Sequence, residues 1–217
     1  MLRQIVFSSC LAGLLAIGQL ALAQEFSADV VNLQREGGLS KMYVGKDKVR
    51  MEMKEKSGNG GMNSGALIID TVQKKNIVLM AERQMYMELP QGQMTPMAQN
   101  FWRPPDPDDA CPQWKEMAAK VAERSRSAKQ LTSCRKVGTE TLNGRSAIKY
   151  EGTSSDGKTG NVWVDSKLRF VVKTLGSEGN GFELRNIQEG SQPASLFEVP
   201  AGYTKFDMGG MMQQRPQ

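Results

Sequence analysis

The feature that most constrains this chain is the strict alternation of apolar and polar residues in two short stretches. In Val49-Arg50-Met51-Glu52-Met53-Lys54 and again in Gln84-Met85-Tyr86-Met87-Glu88-Leu89, every second residue is valine, methionine or leucine. A period of two places those side chains on one face of an extended strand and their neighbours on the other, whereas a helix would wind them around its axis. The region from Leu39 to Leu89 is therefore predicted as a half-buried sheet with methionine recurring on its dry side.

The connections support that reading. Leu39 to Gly45 and Lys48 to Lys54 are joined by Gly45-Lys46-Asp47, a short glycine-containing link of the hairpin kind. Ala66 to Val72, Asn76 to Ala81 and Gln84 to Leu89 follow, with Gln73-Lys74-Lys75 and Glu82-Arg83 between them. Links this short force antiparallel pairing, because a parallel return needs a long crossover. Phe26 to Leu33 reads as a strand ahead of the meander, with Glu36-Gly37-Gly38 as its turn. Ser57 to Gly65 is rich in glycine and asparagine but lacks a Gly-Lys-Ser/Thr ending and a following helix, so it reads as a hairpin tip and not as a phosphate cradle.

The first residues set the compartment. Arg3 is followed by a mostly apolar run from Ile5 to Leu22 and by Ala21-Leu22-Ala23, the pattern of an export signal cleaved near Ala23. Cys10 lies inside the apolar run, whereas a lipid-anchoring cysteine would close it. Cleavage leaves 194 residues, enough for one domain over 24–207, and 27 basic against 23 acidic residues, a net of +4. The basic residues are dispersed without interleaved aromatics, which argues against nucleic acid as a partner. A periplasmic or secreted monomer without a stable membrane anchor is expected.

Beyond Pro90 the character changes. Residues 90–134 read as an insert: a proline- and glutamine-rich link containing Phe101-Trp102, then a helix over about 113–125 with Trp114, Met117 and Val121 on one stripe. Cys111 and Cys134 have no metal-ligand spacing, and in an oxidising compartment they read as a disulfide. A helix of about 18 residues would be about 27 Å long, far beyond the roughly 4.4–6.8 Å that a bridge spans between α-carbons. Either the helix stops near Ser125 and the chain doubles back, or the two cysteines are not bridged; the doubling back is expected. Strand signals resume over Lys136 to Thr141 and Ser146 to Gly152 around the turn Leu142-Asn143-Gly144-Arg145. Asn161 to Asp165, Arg169 to Leu175 and Phe182 to Ile187 follow. Pro193 to Asp207 closes the domain and 208–217 reads as a methionine-rich tail. The two meanders flank the insert in a rough bilateral plan without a clean internal repeat.

Three strings together resemble exported bacterial proteins of unknown function: Lys41-Met42-Tyr43-Val44-Gly45-Lys46-Asp47-Lys48-Val49-Arg50-Met51-Glu52, Cys134-Arg135-Lys136-Val137-Gly138-Thr139-Glu140-Thr141-Leu142-Asn143-Gly144-Arg145, and Leu196-Phe197-Glu198-Val199-Pro200-Ala201-Gly202-Tyr203. Those proteins are similar in turn to the LolA/LolB lipoprotein-carrier superfamily. The resemblance implies an α+β fold: a strongly curved antiparallel sheet, or half-open barrel, with the helical insert covering its concave face. It further implies a lipid or lipoprotein acyl chain as ligand. This chain departs from the carriers in lacking an amino-terminal helix.

Methionine is unbranched and polarisable and lines surfaces that adapt to irregular apolar partners. Met42, Met51, Met53, Met85, Met87, Trp102, Trp114, Met117 and Val121 are the candidate ligand-binding residues. The same pattern equally describes an ordinary filled core, which would leave an envelope protein as the partner and a scaffold role. Met208, Met211 and Met212 offer a further alternative, soft thioether ligands for copper(I). No cofactor is expected. Among 217 residues there is no histidine, which removes the commonest general base and the usual partner of a serine or cysteine nucleophile. Asp70, Glu82, Glu88 and Glu140 fall near turns or on the wet face, so the sequence points to a binding protein and not to an enzyme.

Overall fold

The computed structural model describes residues 25–34, 39–54, 64–90, 106, 108–124 and 129–206. The first meander comprises β1 (Phe26–Asn32), β2 (Leu39–Val44), β3 (Lys48–Lys54), β4 (Ser64–Asp70), β5 (Lys75–Met80) and β6 (Met85–Pro90). A single α-helix among the described residues, α1 (Cys111–Arg124), precedes the second meander. That meander comprises β7 (Leu131–Leu142), β8 (Arg145–Ser154), β9 (Thr159–Asp165), β10 (Phe170–Gly176) and β11 (Gly181–Glu189), and a two-residue strand β12 (Thr204–Lys205) returns to the edge of the first meander. The expected export signal, the hairpin tip at 57–63, most of the 90–105 link with Trp102, and Met208, Met211 and Met212 lie outside the described residues.

All twelve strands form one sheet in the order β12-β6-β5-β4-β3-β2-β1-β11-β10-β9-β8-β7. The sheet is curved and open, a half-open barrel with β7 and β12 as its edges. Every long pairing is antiparallel, as the short connections require, and β12 alone pairs parallel, with β6. β1 joins the two meanders by pairing with both β2 and β11. The Asn143-Gly144 turn between β7 and β8 has φ of 48° and 78°, the left-handed pair that a two-residue hairpin demands and that asparagine and glycine tolerate best.

The second meander starts earlier than its pattern suggests. β7 begins at Leu131, five residues before Lys136, because an edge strand needs no apolar alternation and most of its side chains are exposed. Cys134 therefore sits within β7, where its bridge to Cys111 at the start of α1 spans a Cα–Cα distance of 5.6 Å. The helix ends at Arg124 and the chain does double back. Asp109 accepts a hydrogen bond from the Cys111 amide at 3.2 Å, helping to start the helix.

Three apolar clusters organise the interior. The largest gathers Phe26, Ala28, Met42, Val44, Val49 and Ile69 with Trp163, Phe170, Val172 and Leu184, and the Phe26 and Phe170 rings meet edge to face at 5.2 Å. A second sets the carboxy-terminal segment, through Leu196, Phe197, Val199 and Tyr203, against Ile68, Ile77, Leu79 and Tyr86. The third seats α1 on the second meander: Ala110, Cys111 and Trp114 pack with Ile148, Tyr150, Val162 and Val164. Gly152 leaves room for this helix, since a Cβ there would stand 2.7 Å from Leu131 Cδ1 and 2.8 Å from the Trp114 ring.

Candidate functional site

The ladders joining β2 through β6 run without a bulge, so the alternation seen in the sequence is carried intact across five strands. One row runs Met42, Met51, Leu67, Val78, Met87, each residue directly opposite the next. A row to one side of it reads Val44, Val49, Ile69, Asn76, Leu89. On the other side the register runs through Met53, Gly65, Met80 and Met85. All three rows share a face, because residues two apart on a strand point the same way. The opposite face carries Tyr43, Arg50, Ile68, Ile77 and Glu88, and there the carboxy-terminal segment lies: Arg50 Nη1 donates to the Leu196 carbonyl at 3.0 Å, and Lys205 pairs with Glu88 at 2.7 Å.

Burial is graded across the methionine face. Val44, Val49, Ile69 and Met42 are closed off within the largest cluster, with Met51 and Leu67 partly buried against it. Val78, Met80, Met85, Met87 and Leu89 are half-buried and join none of the three clusters formed by the described residues. The face thus passes from packed core at β2 and β3 to a softer apolar surface at β5 and β6.

One polar residue interrupts it. Asn76 is 0% exposed, and among the described residues neither Nδ2 nor Oδ1 has a hydrogen-bonding partner. Burying an amide unsatisfied on both sides is costly, since each unmade bond forfeits the solvation it had in water. Its neighbour Asp70 is also buried but fully engaged. The Asp70 Oδ1 accepts from the amides of Gln73 at 2.7 Å and Val72 at 3.1 Å, and Lys48 Nζ lies 3.3 Å from Oδ2. Burial pushes the Asp70 carboxyl up, but the Gln73 amide, Lys48 and the Val72 amide outweigh it and hold the group below the ordinary range.

Met42, Met51, Met85 and Met87 are therefore gathered on one face, and the Met53 backbone is in register with them. Trp114 packs on β8 and β9 with Ile148, Tyr150 and Val162, in a different cluster from Met42 and Met51, and the ladders carry the Met42 face through Val30, Leu184, Phe182 and Thr174 to Val162 and Tyr150, so the helix lies along the same face of the sheet. Met117 and Val121, on the same helix, are half-buried. Asn76 was not among the residues singled out from the sequence. Its signal was there in the phase of Asn76, Val78 and Met80, which puts a polar residue in step with an apolar face.

No family model and no curated protein matches the chain. Among solved structures, an uncharacterized conserved protein from Thermus thermophilus is similar in fold, with a TM-score of 0.53 at 12% identity over 86% of this chain and 91% of that one. Weaker likenesses include the Pseudomonas aeruginosa MucA/MucB complex (TM-score 0.38, 18% identity, 84% of this chain and 57% of that one). The Mycobacterium tuberculosis lipoprotein LppX gives a TM-score of 0.38 at 10% identity, over 80% of this chain and 88% of that one. At scores of that size nothing about this chain rests on them.

Proposed function

We propose that this protein is an exported, non-enzymatic binding protein that holds an acyl chain or a similarly flexible apolar ligand on the methionine face. The observation that carries the reading is the graded face itself: thioethers and aliphatic side chains aligned across β2 to β6, closed at one end and half-buried at the other. Methionine suits a ligand of irregular shape because its side chain is flexible and its sulfur polarisable. The export signal read at residues 1–23 and the Cys111–Cys134 bridge support an envelope or secreted location. Among the described residues no helix is long and apolar enough to cross a membrane.

A second reading, a scaffold for an envelope protein, draws on the largest cluster, where Met42 is fully buried by the protein's own side chains. Native mass spectrometry on protein taken from its own host separates the two. A co-purifying lipid mass, and saturable binding of a neutral fluorescent long-chain probe that Met87→Glu abolishes, are expected for the ligand-binding role. A clean apo mass with no probe binding would leave the scaffold.

A further inference from the structure

We propose that Asn76 is the recognition point for a neutral group that donates and accepts hydrogen bonds side by side, a primary carboxamide, carried by a long-chain ligand on the methionine face. The proposal deepens the ligand-binding reading above and rests on it. Asn76 lies in the row Val44, Val49, Ile69, Asn76, Leu89, with Ile69 and Leu89 directly opposite it. It is completely buried, and both Nδ2 and Oδ1 stand without partners among the described residues. A residue kept only for packing at that position would be another Val, Ile or Leu, like its row neighbours, because an unsatisfied amide weakens the fold.

The chemistry of the two open atoms narrows the ligand. Nδ2 needs an acceptor and Oδ1 needs a donor, so a ligand that meets both must present the two together. A primary carboxamide does: its carbonyl accepts from Nδ2 while the N–H on the same side donates to Oδ1. An ester or a carboxylate brings acceptors only and leaves Oδ1 unmet. A carboxylate would also bury a charge, and the basic groups nearest in register are already engaged, Lys48 with Asp70 and Lys75 with Glu88. From Asn76 the apolar strand continues on the same face through Val78 to Met80, about 13 Å at the ordinary strand rise, and Met85 and Met87 lie alongside on β6. A chain attached to the amide would follow that track, head deep and tail toward the half-buried end.

The test is competition against a neutral fluorescent long-chain probe bound to the full-length protein, using oleamide, methyl oleate and oleate, which share one chain. Oleamide is expected to compete at least about ten-fold better than methyl oleate, as sites built to hydrogen-bond a ligand reject analogues that leave buried groups unpaired. In Asn76→Leu the two should fall within about two-fold of each other through loss of the oleamide advantage, and the ligand-free melting temperature should rise. Wild-type protein that binds amide and ester alike would overturn the proposal without touching the ligand-binding role. Loss of both ligands with a lower melting temperature in Asn76→Leu would assign Asn76 to the fold and overturn it too. If none of the three chains competes and the probe itself does not bind, the underlying reading fails as well.

Discussion

Asp70 at the end of β4 and Asp165 at the end of β9 hold matching places in the two meanders. Each accepts the amides two and three residues on: Asp70 from Val72 and Gln73, Asp165 from Lys167 at 2.9 Å and Leu168 at 2.7 Å. Four residues after each aspartate stands a non-glycine residue in the left-handed region, Lys74 at φ 52° and Arg169 at φ 53°. The loads differ. Asp165 is clasped by Arg145, 2.6 Å from Nε, which reaches Glu189 as well, whereas Asp70 has the more exposed Lys48 at 3.3 Å. The second meander also carries α1, the disulfide and Trp114, while the first carries Met80, Met85 and Met87, which stay half-buried. One turn design thus serves a locked region and an adaptable one, and the proposed ligand face lies on the adaptable one.

The sharpest way to break this comparison is to remove each aspartate in turn. Asp165→Ala removes the buried acceptor of the Lys167 and Leu168 amides and leaves Arg145 only Glu189 as a partner, and is expected to cost about 3–5 kcal/mol in urea unfolding. Asp70→Ala should cost about 1–2 kcal/mol, because Lys48 can turn to solvent. Equal costs would mean that the two turns are equally loaded.

The disulfide gives the next largest effect. Its two cysteines are 23 residues apart, and loop closure of that length contributes about 3 kcal/mol in the chain-entropy account. The Cys111→Ser, Cys134→Ser double variant should lose about that much stability, read by denaturant titration, while its affinity for a long-chain probe stays within about two-fold of wild type. A parallel loss of affinity would tie the site to the second meander instead.

Much of this fold was legible in the sequence. The alternation around Met51 and Met87 and the Asn143-Gly144 turn marked the strands and their pairing, and the cysteine spacing marked the return after α1. Three things were hidden. β7 extends back to Leu131 because an edge strand is specified by backbone pairing and not by apolar phase. Trp114 went to β8 and β9 because periodicity marks a helix's apolar stripe without naming the sheet region that receives it. The correspondence of the two turns rests on Gly65 and Asp70 against Gly160 and Asp165, five residues apart in each case, a signal too sparse to stand out before the hydrogen bonds were known.

A smaller effect concerns acid. Burial pushes the Glu183 carboxyl up, but Arg185, Asn143 and Lys173 hold it below its ordinary value of 4.5. Lys167 and Arg145 hold Glu189 low in the same direction, and Asp70 behaves alike. A carboxylate whose value is lower in the folded chain stabilises it at neutral pH, and that contribution is lost as pH falls through the ordinary range toward the lowered folded value. Stability should therefore hold above about pH 5 and fall progressively below it. Asp70→Asn should make that decline shallower, and an unchanged acid limb would show that Asp70 is not one of the groups responsible.

The central claim is that the half-buried methionines of β5 and β6 touch a ligand and that the helix does not. It is tested most directly by methionine-methyl NMR on the full chain, titrated with a spin-labelled neutral methyl stearate. Selective broadening of the Met80, Met85 and Met87 methyl signals, with Met117 on α1 unaffected, is the predicted result. Broadening confined to Met117, or none at any methionine, would contradict it.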